Sequence, residues 1–156
     1  MQLNTRRPRR NRRSEAVRSM IQETRLHPSQ LILPFFLIEG ENRKVEIASM
    51  PGVFRWTIDL AVKEAAECMT LGIRNFILFP AIDESKKDKY ATWSYHPDCF
   101  YLKAIQAFKT ALPDCSVTTD VAMDPYSSDG HDGIYENGII LNDQTLEVLG
   151  KMSVAQ

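Results

Sequence analysis

Continuously apolar runs alternate with amphipathic stretches along most of this chain. The run 31–38 is aliphatic and aromatic apart from Pro34, the run 73–80 holds a continuous apolar stretch after Arg74 and Asn75, and a run rich in β-branched residues follows over 116–123. Uninterrupted apolar runs of this length are typical of strands that are buried on both faces of a sheet. The pattern therefore predicts three strands in a sheet that is covered on both sides.

Between these runs, apolar residues recur three or four positions apart, which predicts amphipathic helices. One helix is predicted over about 58–71, a second over about 98–112 and a third from about 142 to the end. The pair Asn137-Gly138, ahead of the last helix, is typical of a tight β-hairpin turn. Strands that alternate with helices indicate a parallel α/β fold.

The first 27 residues differ from the rest in charge. They hold eight arginines against Glu15 and Glu23, a balance of +6, whereas residues 28–156 carry a balance of −7. Ser14 is predicted to cap a short helix that ends near Thr24. A basic arm on an acidic body is suited to nucleic acid, to an anionic membrane or to the acidic body of a neighbouring subunit.

Composition narrows the class of protein. With 156 residues, 44% of them apolar, the chain has the size and balance of one soluble globular domain. No run has the roughly 18–20 apolar residues of a membrane span, and the N-terminus lacks the apolar core of a signal peptide. Cys68, Cys99 and Cys115 form no CxxC pair. These features predict a cytoplasmic protein without a disulfide framework.

The third predicted strand leads into a loop that is rich in carboxylates, here named the Asp loop (residues 120–133). Asp120 stands near the end of the strand, and Asp124, Asp129 and Asp132 follow on the loop. Crowded carboxylates raise each other's pKa unless a cation or hydrogen-bond donors compensate. The loop is therefore a candidate site for metal binding or proton transfer, and a solvated turn without chemistry is the alternative.

The spacing of the Asp loop excludes a calcium-binding EF-hand. Such a loop needs glycine at its sixth position and glutamate at its twelfth. Counting from Asp124, these positions hold Asp129 and Tyr135. In a βα barrel, by contrast, the active site is built from loops at the carboxyl ends of strands, where this loop is expected.

The string TDVAMDPYSSDGHDG (residues 119–133) closely resembles the signature loop of the 5-aminolevulinate dehydratases, also called porphobilinogen synthases. The segments LILPFFLIEG (31–40) and IASMPGVFRW (47–56) resemble the first barrel strand of that family and the loop after it. The resemblance implies a (β/α)8 TIM barrel, of which this chain holds the first half. Residues 1–27 would form an N-terminal arm, and residues 28–156 the N-terminal part of the catalytic barrel domain.

The resemblance also implies the chemistry of the Asp loop. Zinc-dependent members carry three cysteines at the positions of Ala122, Asp124 and Asp132. Because carboxylates suit harder cations than thiolates do, the chain resembles the aspartate-rich branch, which uses magnesium or a monovalent cation, and zinc is not expected at this loop. Asp124 and Asp132 are candidate metal ligands. Candidate catalytic residues are Asp120, Asp124 and Asp132, with Asp120 orienting substrate ammonium groups or moving protons.

The family condenses two molecules of 5-aminolevulinate into porphobilinogen, a lyase reaction of haem (tetrapyrrole) biosynthesis. The reaction uses lysine Schiff bases, which require a desolvated lysine, and the family carries these lysines on later strands. None of the eight lysines here lies at the end of an apolar strand or matches the family's lysine motifs. The 156 residues alone are therefore expected to be inactive.

Family members use an N-terminal arm of this kind to build a homo-oligomer, an octamer or a hexamer. The resemblance thus implies that residues 1–27 clasp a second copy, with neither nucleic acid nor a membrane as partner. Two alternatives remain open at this point. One is a self-assembly or nucleic-acid interaction module with a basic arm on an acidic body, and the other is a stand-alone metal-binding α/β protein.

Overall fold

The computed structural model describes residues 9–156, so residues 1–8 of the predicted arm lie outside the described residues. Four helices and seven strands follow one another along the described chain. In chain order they are α1 (Glu15–Met20), β1 (Ile32–Leu37), β2 (Lys44–Glu46), β3 (Phe54–Trp56), α2 (Ile58–Thr70), β4 (Asn75–Pro80), α3 (Phe100–Ala111), β5 (Ser116–Thr119), β6 (Tyr135–Glu136), β7 (Ile139–Ile140) and α4 (Asn142–Ala155).

The main sheet has the order β2-β3-β1-β4-β5, and β6 pairs with β7 in the hairpin that the Asn137-Gly138 turn predicts. Strands β1, β4 and β5 lie side by side, parallel and in chain order. Helix α2 precedes β4, and α3 precedes β5. This alternation is the arrangement of a partial βα barrel, and it confirms the predicted α/β fold.

Aromatic side chains form the centre of the core between the sheet and α3. Phe35 of β1, Phe76 of β4 and Phe108 of α3 meet edge to face, with ring centroids 5.6–6.0 Å apart. Each of the three is buried, as are Leu37 and Leu78 on the same strands. Packing of this kind fixes the direction of the strands, and so fixes where their carboxyl ends meet.

Two predicted boundaries differ from the observed ones. Helix α1 ends at Met20 instead of about Thr24, although Ser14 caps it as predicted by accepting a hydrogen bond from the Val17 N–H (3.3 Å). The helix has no buried residue, so no packing stabilises a further turn. The third predicted strand, expected to run to Met123, ends at Thr119.

Strands β2 and β3 were not predicted. They pair with each other in antiparallel fashion, and β3 adds to the free edge of β1 with the register Phe36 to Arg55 and Leu37 to Trp56. Each has three residues, which is too short for alternation to show in the sequence. Within residues 9–156, no helix combines the length and apolar character that crossing a bilayer requires.

Candidate functional site

The Asp loop starts directly where β5 ends, at the carboxyl edge of the parallel strands. Asp120 is the first residue after the strand, and Asp120, Asp124 and Asp132 are all exposed. Parallel βα sheets place their binding sites at this edge. The structure therefore brings the three carboxylates singled out in the sequence together on one loop, at the edge where chemistry is expected.

A hydrogen bond within the Asp loop gives it its shape. The carboxylate of Asp132 accepts a bond from the Met123 N–H, with Oδ1 2.6 Å from the nitrogen. The Met123 carbonyl in turn accepts bonds from the Tyr126 and Ser127 N–H groups, both at 2.9 Å. This closure draws the end of the loop back to its start, so Asp132 lies near Asp124.

The electrostatic environment of Asp124 reflects this crowding. Partial removal of water raises the pKa of Asp124, and the negative charges of Asp132 and Asp120 raise it further. Lys87 acts in the opposite direction. A carboxyl group with a raised pKa exchanges protons closer to neutral pH, and clustered negative charge attracts cations.

Two buried tyrosines lie in this region, Tyr101 on α3 and Tyr126 within the Asp loop itself, and neither was predicted as a site residue. The Tyr101 hydroxyl, from α3, donates a hydrogen bond to the Leu78 carbonyl (2.7 Å). Burial raises the pKa of Tyr101, and the main chain of Asp120 partly offsets that effect. Tyr126 is 1% exposed, and burial and the nearby Cys99 raise its pKa. Tyr126 could have been singled out in the sequence, because it follows Asp124 and Pro125 in the carboxylate-rich string.

A second loop lies against the Asp loop, and its polar sequence is compatible both with a loop that covers a site and with a solvated loop. This β4 loop (residues 81–99) connects β4 to α3, and Asp88 in it forms a parallel bridge with Ser127. Three of its lysines are bound to glutamates. The pairs are Lys86–Glu39, Lys87–Glu84 and Lys89–Glu136, with N···O distances of 2.5–2.6 Å.

These ion pairs bear on the predicted absence of a Schiff-base lysine. Lysine nucleophiles need a lowered pKa, because only the neutral amine attacks a carbonyl. The hydrogen bond to Glu136 instead raises the pKa of Lys89. Lys89 is therefore held as a cation, which suits an electrostatic and structural role.

The oxygens of Asp124 and Asp132 are donors of the type that magnesium prefers. Magnesium keeps several of its waters and is commonly held by one or two carboxylates. Residues 9–156 contain no group of three or more His, Cys, Asp or Glu side chains arranged to hold a metal ion. Cys99 and Cys115 are buried away from solvent. Asp124 and Asp132 thus offer a cation hard oxygen donors.

Comparison with known proteins gives a consistent result. The family described as delta-aminolevulinic acid dehydratase matches residues 5–156. The dehydratase of Chlamydia pneumoniae is 44% identical over 149 residues, which is 96% of this chain and 45% of that protein. The chloroplastic dehydratase of Selaginella martensii is 45% identical over 155 residues, 97% of this chain and 37% of that protein.

A solved structure extends the likeness to three dimensions. The Toxoplasma gondii dehydratase (porphobilinogen synthase), in complex with its product porphobilinogen, superposes with a TM-score of 0.92 at 43% identity. The alignment covers 98% of this chain and 44% of that one. The chain thus spans less than half the length of the relatives that it matches. With its family match, its fold and its carboxylate loop in agreement, the chain belongs to the delta-aminolevulinic acid dehydratase family.

Proposed function

We propose that this chain is part of a porphobilinogen synthase, a lyase that condenses two molecules of 5-aminolevulinate with release of water in tetrapyrrole (haem) biosynthesis. One observation carries the proposal: the clustered carboxylates of Asp120, Asp124 and Asp132 lie at the carboxyl end of a barrel strand. The porphobilinogen-bound relative, with a TM-score of 0.92, supports the same conclusion.

Each carboxylate has a distinct role in this proposal. 5-Aminolevulinate carries an ammonium group, and Asp120 attracts and orients that group from the end of β5. Asp124, whose pKa is raised by its surroundings, takes up and returns a proton as the ring of porphobilinogen forms. Asp132 is oriented by the Met123 N–H and strengthens the negative field at the same place.

The Schiff-base lysines are expected to come from the part of the full-length enzyme that this chain does not span. The 156 residues then contribute binding and proton transfer but no covalent step. A chimera in which residues 1–156 replace the matching segment of the Chlamydia pneumoniae dehydratase tests the proposal. We expect the chimera to form porphobilinogen from 5-aminolevulinate in a colour assay, and the 156-residue chain alone to form none.

A folded chimera without turnover would overturn the proposed activity. Turnover by the isolated 156-residue chain would overturn the expected need for lysines from outside it. Circular dichroism and the elution volume of the chimera establish that it is folded before activity is scored.

We further propose that Asp124 and Asp132 together hold a magnesium ion, which supplies positive charge that compensates the crowded carboxylates when bound. The double substitution of Asp124 and Asp132 by alanine is expected to weaken magnesium binding at least about tenfold, because hard oxygen ligands dominate its affinity. Isothermal titration of the 156-residue chain with MgCl2 measures this. A potassium titration shows whether a monovalent cation serves instead.

Asp129→Ala is the matched control for the metal experiment. Asp129 lies in the same loop, and its N–H contacts the Ser127 hydroxyl at 3.3 Å, but its carboxylate is not one of the proposed ligands. We expect its magnesium affinity to match that of the unmodified chain. Equal weakening in the control and in the double variant would show that net loop charge, and not ligation by Asp124 and Asp132, attracts the ion.

The basic arm is proposed to bind a second copy of the chain. Residues 9–27 are exposed almost throughout, and among residues 9–156 no arm arginine forms an ion pair with a carboxylate. The body from residue 28 onward carries a net charge of −7. Opposite charges on the arm and on the body favour association between copies, as in the octamer or hexamer expected of the full-length enzyme.

Deletion of residues 1–27 is expected to convert a self-associating chain into a monomer of correspondingly lower mass in light scattering. A full-length variant with glutamine at Arg9, Arg10, Arg12 and Arg13 keeps the length of the arm and tests its charge. An unchanged oligomeric state in both variants would contradict the proposal. Tight, salt-sensitive RNA binding by the intact chain, lost in both variants, would instead assign the arm to nucleic acid.

A further inference from the structure

Asp88 joins the β4 loop to the Asp loop through its main chain. Its N–H donates a hydrogen bond to the Tyr126 carbonyl, and its carbonyl accepts one from the Ser128 N–H, both at 3.2 Å. Together these bonds make the parallel bridge to Ser127. The middle of the Asp loop is therefore held by two main-chain hydrogen bonds from one residue.

The side chain of the same residue shapes the β4 loop. The Asp88 carboxylate accepts hydrogen bonds from the Tyr90 N–H (2.7 Å), from the Thr92 N–H (3.2 Å) and from the Thr92 hydroxyl. These bonds enclose Ala91, which is fully buried and has a left-handed backbone with φ of 50°. A non-glycine residue in that region is disfavoured, so the turn depends on the groups that hold it.

Lys89, the residue after Asp88, adds a second connection between the β4 loop and the region of the Asp loop. Lys89 forms an ion pair with Glu136 of β6 at 2.6 Å, and both side chains are partly buried. Strand β6 directly follows the Asp loop. Residues 88 and 89 thus hold the Asp loop at its middle and just beyond its end, while the Asp132 bond to Met123 closes it internally.

We infer that Asp88 is a positioning residue for the Asp loop, setting where Asp124 and Asp132 stand without itself touching substrate or metal. Its carboxylate fixes the Tyr90–Thr92 turn, and that turn orients the main chain that binds Tyr126 and Ser128. Small displacements of a catalytic group reduce rates steeply, so loss of the Asp88 side chain is expected to lower the reaction rate even though Asp88 does not touch the substrate. The inference rests on the proposed function for Asp124 and Asp132.

The β4 loop provides a matched control at Asp83. The Asp83 carboxylate accepts hydrogen bonds from the Ser85 N–H (2.9 Å) and from the Ser85 hydroxyl (2.6 Å). This is the same local chemistry as at Asp88, and the Asp83 carbonyl binds only within its own loop, to the Lys86 N–H. Asp83→Ala therefore removes a similar cap without a link to the Asp loop.

The test compares Asp88→Ala, Asp88→Asn and Asp83→Ala in the full chain. Hydrogen exchange of the Ser128 amide, followed by NMR, is expected to accelerate about tenfold in Asp88→Ala, the size of effect that losing one or two hydrogen bonds gives. Magnesium affinity is expected to weaken by about the same factor. Asp83→Ala should change neither quantity, and Asp88→Asn should restore part of both, because its amide oxygen still accepts from Thr92.

Unchanged Ser128 exchange in Asp88→Ala would overturn the inference. A second outcome would also overturn it: faster Ser128 exchange in Asp88→Ala, with both the magnesium affinity and the turnover of the chimera unaltered. Asp88 would then fasten the Asp loop without setting the positions of Asp124 and Asp132. If Asp88→Ala fails to fold, Thr92→Val removes the hydroxyl donor alone and is expected to act in the same direction. Absence of magnesium binding in the unmodified chain would overturn the metal proposal separately, leaving exchange and chimera turnover to decide on Asp88.

Discussion

Replacing Phe108 with alanine is expected to lower the free energy of unfolding by about 3–5 kcal/mol. The Phe108 ring is fully buried and lies 5.6 Å from the ring of Phe35 and 6.0 Å from that of Phe76. Its removal leaves a cavity at the junction of α3, β1 and β4 and eliminates two aromatic contacts. Since domains are stable by only about 5–15 kcal/mol, a large share of the total is lost.

Urea denaturation followed by circular dichroism measures the effect. Leu71→Ala is the control, because Leu71 follows α2 and is 72% exposed. Exposed positions change stability by only about 0.5 kcal/mol. A Phe108→Ala midpoint equal to that of the control would contradict the structure, because it would mean that the three aromatic rings do not form the core.

The second large effect is expected at Asp124 in the chimera with the Chlamydia pneumoniae enzyme. Asp124→Asn should lower kcat about 10²–10⁴-fold, the range that proton transfer by a positioned side chain contributes. Asparagine has the shape of aspartate but cannot take up a proton at this site. The substitution removes a carboxylate whose pKa is raised by partial burial and by its two carboxylate neighbours, and with it one of the two proposed magnesium ligands. A titration of the Asp124→Asn chimera with MgCl2 separates the two losses.

Asp129→Asn serves as the control, because it removes one negative charge from the same loop. Its kcat is expected to stay within about threefold of the unmodified chimera, since a single exposed charge acts weakly through solvent. An Asp124→Asn chimera with kcat in that same range would exclude proton transfer at Asp124. A raised KM with unchanged kcat would assign Asp124 to substrate binding instead.

The long apolar runs allowed β1 and β4 to be predicted, because a buried strand in a parallel sheet must be apolar on both faces. The early end of β5 could not be predicted in the same way. Residues 121–123 are again apolar after Asp120, yet the Met123 N–H binds the carboxylate of Asp132, nine residues further along the chain. A local pattern contains no information about that pairing.

The same reasoning applies to the candidate site. Asp120, Asp124 and Asp132 were predicted from their place after a strand and from the family resemblance. In the structure the negative charges of Asp132 and Asp120 act on Asp124, and the roles of the three residues stay predictions. The sequence left the role of the β4 loop open, because a run of lysines among polar residues is compatible both with a loop that covers a site and with a solvated loop. Two of its lysines reach glutamates 47 residues away in sequence, Glu39 and Glu136, a separation that no local pattern reveals.

If Asp132 is a ligand of the proposed magnesium ion, its hydrogen bond with the Met123 N–H couples metal preference to backbone shape. Family resemblance places a cysteine at this position in zinc-dependent members, and a cysteine sulfur makes longer and weaker hydrogen bonds with an N–H than a carboxylate oxygen does. Exchanging Asp132 for cysteine would therefore change the cation preference and release the start of the Asp loop in one step. Conversion between the magnesium and zinc branches is thus expected to need compensating changes elsewhere in the loop, and single-site intermediates would be disfavoured during evolution.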